Sequence, residues 1–195
     1  MSFNITPPPS EMEKRDEVLA KAYSNLIYFG RAFLPNDFLK KSESAPFHYE
    51  MGKKMIDTAP GARICNIIPR GHGKSVVAKA AIMHKLCFAA DDQQHFIAWV
   101  SEEQSQAIDH LKYIRSHFED NKMIRYYFGN MDGGSVGKRW TEKDLVTPKG
   151  DRVISKGTSQ RLRGRAEVDV RYTGIVLDDF ESELNTKTPE RRADI

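Results

Sequence analysis

The chain has 195 residues, 29% charged and 39% hydrophobic, with a formal net charge of +3. This is enough length for one domain with a real core, at the composition of an ordinary globular protein. The mild basicity permits an acidic partner such as DNA without requiring one, and two cysteines are too few for a disulfide framework.

No apolar run is long enough for a membrane span, residue 1 opens no signal-peptide pattern, and no internal repeat is visible. Cys65 and Cys87 sit in apolar surroundings and read as buried free thiols of a reducing compartment.

In chain order, Pro7-Pro8-Pro9 marks residues 1–10 as a disordered or extended tail. Ser10, followed by acidic residues, predicts a helix start. Val18, Leu19, Ala22, Leu26 and Phe29 carry that helix to about residue 29 at core-facing spacing. Residues 30–44 read as a loop with exposed aromatics at Phe33 and Phe38. Phe47, Met51 and Met55 predict a second helix over about 47–57, and Pro60-Gly61 a turn.

The most informative stretch follows. Ile64-Cys65-Asn66-Ile67-Ile68 predicts a strand, and Pro69-Arg70-Gly71-His72-Gly73-Lys74-Ser75 a glycine-rich turn opening a helix that runs to about Phe88. Strand, loop and helix in this order form the context of a phosphate-binding loop. Gly71 and Gly73 let the backbone turn its N–H groups inward, and the helix start adds free amides. Lys74 would reach the β- and γ-phosphates of a nucleotide, and the Ser75 hydroxyl would hold Mg²⁺. The first glycine of the common pattern falls on Ile68, so the loop is a variant. The bland alternative is a surface turn with a solvated lysine. On the helix, Val77, Ala81, His84 and Phe88 share an apolar side, with His84 read as a packing histidine.

Residues 95–100 predict a strand buried on both faces. Ser101 reads as the N-cap of a capping box with Gln104. The helix beyond runs to about Glu119, with Ala107, Leu111, Ile114 and Phe118 inward. Residues 121–137 read as a polar loop, mobile at 131–135. Residues 140–146 and 149–154 form a hairpin, and 158–165 a basic loop.

Thr173 to Glu181 is an apolar strand ending in carboxylates. In an open parallel sheet such a strand delivers its acids to the same edge as a phosphate loop. Asp178 would be the metal-side carboxylate. Asp179 and Glu181 compete for the role of polarising the attacking water.

Taken in order, these stretches resemble the N-terminal ATPase region of bacteriophage terminase large subunits, the motors of DNA packaging. Pro46-Phe47-His48-Tyr49-Glu50 stands where that family has its adenine-side motif. Residues 69–75 are similar to its deviant phosphate loop, with an arginine at the place of Arg70. Residues 100–107, Trp140-Thr141-Glu142, Gly157, Leu162-Arg163-Gly164 and Leu177-Asp178-Asp179-Phe180-Glu181 follow the family's order.

The resemblance implies an α/β fold: a P-loop NTPase (ASCE-like) three-layer sandwich with a mostly parallel central sheet, incomplete at its C-terminal end. It divides the chain into the tail 1–10, a helical segment 11–60 carrying the adenine-side motif, and an ATPase core from 61 to 195. It implies ATP and Mg²⁺ as cofactors, with Arg70, Gly71, His72, Gly73, Lys74, Ser75, Phe47 and His48 on the nucleotide. Ser75 and Asp178 would hold the metal, and Lys74, Asp179, Glu181 and Arg163 would be catalytic. Arg163 would reach a neighbouring subunit's γ-phosphate, where a guanidinium offsets developing charge.

The implied partners are double-stranded DNA, a portal protein, a small terminase subunit and further copies in a ring, in the cytoplasm of a host cell and away from membrane. Lys53, Lys54, Arg161 and Arg165 are the basic candidates for DNA. Asp179 stands where many members have Glu, and the family's coupling motif and nuclease acids are not found in these residues. Two other readings stand beside this one: a helicase-like ATPase tracking along DNA, and a non-catalytic nucleotide-binding fragment.

Overall fold

A computed structural model describes residues 9–38, 43–59, 61–160 and 171–180. Seven α-helices and a four-stranded mixed sheet make the described residues an α/β protein. The chain divides into two units, Met1–His84 and Lys85–Ile195.

The first unit is helical. The long helix predicted from Ser10 is two helices, α1 (Pro9–Ser24) and α2 (Leu26–Phe33). Asn25 breaks them apart: its backbone is extended at φ −140°, and its side-chain oxygen accepts the Tyr28 N–H at 3.0 Å. An Asn side chain that can cap a helix competes with continuing one. Ala22, Leu26 and Phe29 are buried as the spacing predicts. A short helix α3 (Pro35–Phe38) follows, and Phe33 and Phe38 are buried, correcting the exposed reading of both. The helix α4 (Pro46–Ile56) packs on α2, with Met51 buried.

The predicted strand over 64–68 does not form. No strand is assigned there, Ile67 is 92% exposed, and Cys65 is exposed where a buried thiol was expected. A strand is stable only when a neighbour takes its N–H and C=O groups, and among the described residues none pairs with this segment. The helix α5 (Lys74–Cys87) begins at the residue its loop predicts. His84 is the packing histidine expected: its Nε2 lies 3.1 Å from the Ala22 carbonyl and 3.0 Å from that of Tyr23, so this nitrogen carries the proton.

The second unit is built on the sheet. Its strands are β1 (Phe96–Ser101), β2 (Asp144–Val146), β3 (Arg152–Gly157) and β4 (Gly174–Leu177), in the order β2-β3-β1-β4. The β1 strand runs parallel to both β3 and β4, and β2 pairs antiparallel with β3 as the expected hairpin. Burial of Ile97 through Ser101 matches the apolar run.

The helix α6 (Gln104–Asp120) lies on this sheet through Ala107, Leu111, Ile114 and Phe118, all buried as expected. Its N-cap is Glu103, not Ser101, which is still the last residue of β1. Gln104 reaches sideways to the Ser155 carbonyl at 3.1 Å instead of closing a capping box. The polar loop expected after α6 contains a helix, α7 (Lys122–Phe128), whose N-cap Asn121 accepts from Met123 and Ile124 at 3.0 and 3.1 Å. The stretch read as mobile buries Met131 and closes a 3-10 turn over Gly134–Val136.

Candidate functional site

The turn at residues 68–75 is shaped by side chains of the first unit. Lys74 curls back over its own loop and donates to the Ile68 and Pro69 carbonyls at 2.5 and 3.2 Å. The imidazole Nδ1 of His72 lies 2.9 Å from the Arg70 carbonyl, and a carbonyl only accepts, so that nitrogen is the donor. His48, from the first turn of α4, brings Nε2 to 2.9 Å from the His72 carbonyl.

Four of the five carbonyls from Ile68 to His72, all but that of Gly71, are thus drawn to side-chain donors. Gly71 and Gly73 sit at φ +80° and +74°, where a side chain would be strained. Among the described residues no acceptor takes the N–H groups of Gly71, Gly73, Lys74 or Ser75. Open amides at a helix start form an anion-binding concavity. The ring of Phe47 flanks the loop, 4.1 Å from that of His48 and 6.1 Å from that of His72 between centroids. Arg70 is exposed.

The acidic end of β4 lies in the second unit. The ladder with β1 continues one residue past the strand: the Asp178 N–H donates to the Val100 carbonyl at 3.0 Å. The chain then turns sharply. Asp179 takes φ +47°, the sole positive value at a non-glycine among the described residues, and its carbonyl accepts from Glu102 N–H at 3.0 Å. Asp is among the few residues that tolerate this region.

The two acids differ in exposure. The Asp178 carboxylate is 14% exposed and lies 3.6 Å from His110 Nε2. Asp179 is exposed and lines a cavity of about 250 Å³ with Ser101, Gln106, Asp109 and His110. His110 stacks on buried Trp99, ring centroids 4.4 Å apart. Neither His110 nor Asp109 is singled out by the sequence reading. The available signal is the position of His110 three residues after Ala107 and beside the core-facing Leu111, which sets it at the border of the buried face of α6.

Glu181 and Arg163 lie outside the described residues, as do Arg161 and Arg165. Lys53 and Lys54 are exposed on the last turn of α4, where Lys53 faces Asp57 at 3.4 Å. They line a surface groove that also contains Glu50 and Asp57, so its charge is mixed.

Ser75, in the first unit, offers a hydroxyl, and Asp178, in the second, a carboxylate; each by itself is a hard oxygen donor of the kind Mg²⁺ takes. No group of three or more His, Cys, Asp or Glu among the described residues gathers to hold an ion alone. A nucleotide-borne Mg²⁺ needs no such group, because phosphates and waters supply most of its ligands. The residues present fit that ion in kind.

No protein family, curated protein or solved structure matches the chain. No helix among the described residues is long and apolar enough to cross a membrane.

Proposed function

We propose that the chain carries the nucleotide site of a DNA-packaging ATPase of the terminase large-subunit kind, with a P-loop NTPase fold. In this reading ATP binds with Mg²⁺, and its hydrolysis drives double-stranded DNA into a procapsid. The observation that carries the proposal is the loop at 68–75. Its carbonyls are drawn to Lys74, His72 and His48, both its glycines take positive φ, and its open amides lead into α5. That is the chemistry of a phosphate cradle.

The carboxylates after β4 support the second half. Asp178, held by the sheet, suits a metal-side role. Asp179, exposed just past the strand at a positive φ, suits work on water. Lys74 would leave the carbonyls of Ile68 and Pro69 to meet phosphate, and Ser75 on the loop and Asp178 after β4 are each donors suited to Mg²⁺, which would supply charge neutralisation at the transferred phosphoryl group. Further copies in a ring, a portal and a small subunit are the partners this reading entails.

Phosphate release from ATP, measured with and without duplex DNA, tests the activity. Turnover stimulated by duplex DNA and lost in Asp178→Asn is expected. Equal turnover in Asp178→Asn would contradict the role given to that acid, and strand separation by the chain would favour the helicase-like alternative.

A further inference from the structure

We propose that His48 is a positioning residue that sets the orientation of the His72–Gly73 peptide in the phosphate loop. This rests on reading residues 68–75 as that loop. The starting point is the tautomer. The Ala45 N–H donates to His48 Nδ1 at 3.0 Å. A nitrogen that accepts a hydrogen bond carries no proton, so in the neutral ring the proton is on Nε2. Nε2–H then donates to the His72 carbonyl at 2.9 Å.

Both ring nitrogens are therefore engaged within the chain, and each bond defines the other. The first is a helix-capping contact. His48 is the third residue of α4 and takes the N–H of its N-cap, as Glu or Gln does in a capping box. The His48 N–H in turn donates to the Ala45 carbonyl at 2.9 Å. The start of α4 thus fixes the ring's tautomer and its direction.

The second bond acts on the loop. In a trans planar peptide the C=O and N–H point in opposite directions. Holding the His72 carbonyl toward α4 turns the Gly73 N–H away from it, and no described residue accepts from that N–H. Gly73 at φ +74° makes this orientation possible, and a Cβ built there would stand 3.7 Å from His48 Nε2. The Phe47 ring, 4.1 Å from His48, flanks the imidazole. His48 therefore works through the backbone of Gly73, with no ring nitrogen left for a base edge.

The side chain requirement is an acceptor at one end and a donor at the other. Gln meets it and Leu meets neither half. The test titrates Mg·ATP calorimetrically into the 195-residue chain, its His48→Gln and His48→Leu variants, and the double variant Ala45→Ser with His48→Leu. The serine supplies an independent N-cap for α4. Lys74→Ala is the control, and melting temperatures are recorded for all.

The expected result is binding at least about tenfold weaker in His48→Leu, restored to within about threefold by Gln, on the scale of one lost hydrogen bond. The double variant should regain stability but not affinity, which separates positioning from helix capping. Wild-type affinity in His48→Leu, or affinity restored by the serine cap alone, would overturn the inference while loss of binding in Lys74→Ala kept the phosphate loop. Equal binding in Lys74→Ala, or none in the parent chain, would overturn the loop reading and the inference together.

Discussion

At residues 68–75 side chains fix the backbone: Lys74, His72 and His48 hold the carbonyls of Ile68, Pro69, Arg70 and His72. At residues 174–179 backbone fixes backbone: β4 pairs with β1, the Asp178 N–H extends the ladder, and Asp179 is tied to Glu102. The loop depends on a few individually replaceable donors, so single substitutions there should change ligand binding more than stability. The strand end inherits its geometry from a sheet whose core must be intact, so stability and site should fail together there.

The largest effect expected is at the sheet. Trp99 is fully buried in β1 and carries the His110 ring that faces Asp178. Replacing Trp99 with Ala should cost about 3–5 kcal/mol in denaturant unfolding. A loss below about 1 kcal/mol would mean that the acidic end does not rest on this core.

Acid should weaken both units, since each holds one buried histidine. Burial pushes the His84 imidazole below its usual value, against the pull of the Tyr23 and Ala22 carbonyls. Burial does the same to His95, aided by Lys85 and opposed by Asp151. A lowered pKa in the folded chain means that the unfolded chain binds more protons as pH falls below about 6.5. The stability these groups contribute is therefore present above that pH and lost below it, each adding a slope of at most about 1.4 kcal/mol per pH unit. Unfolding free energy measured between pH 7.5 and 5 should decline, and His84→Gln should flatten the slope. A slope unchanged in that variant would remove His84 from the explanation.

Gly73→Ala comes next. At φ +74° with no severe contact, the cost is backbone strain of about 1–2 kcal/mol. Loop strain of that size should show more in nucleotide affinity than in melting. The smallest effect is at Asp179, where glycine relieves the positive φ but loosens the unfolded chain. Asp179→Gly should leave stability within about 1 kcal/mol while removing the acid, and Asp179→Val should destabilise. Equal stability of the Gly and Val variants would deny that the turn is strained.

These contrasts also show what the sequence made legible. β1, the inward face of α6 and the hairpin were readable because each carries its own periodicity and is buried by neighbours in the same unit. The strand over 64–68 was expected from its apolar residues, but apolarity cannot supply a pairing partner, and Ile67 stands exposed. Asn25 and Asn121 each cap a helix that the reading ran through or left out, although an Asn before an apolar repeat was a usable signal. Ser101 was drawn into β1 because ladder bonds outweighed a capping box. In the loop, the glycines at positive φ and the helix start at Lys74 could be located from spacing. The His48 bond to His72 could not, because it joins residues twenty-four apart through a helix start.

The most direct test of the phosphate loop is calorimetric titration of Mg·ATP into the 195-residue chain and into Lys74→Ala. Saturable binding to the parent chain that the variant loses, with the fold of both intact by circular dichroism, is the expected result. Equal binding by both, or none by a folded parent chain, would contradict the assignment of residues 68–75 to phosphate.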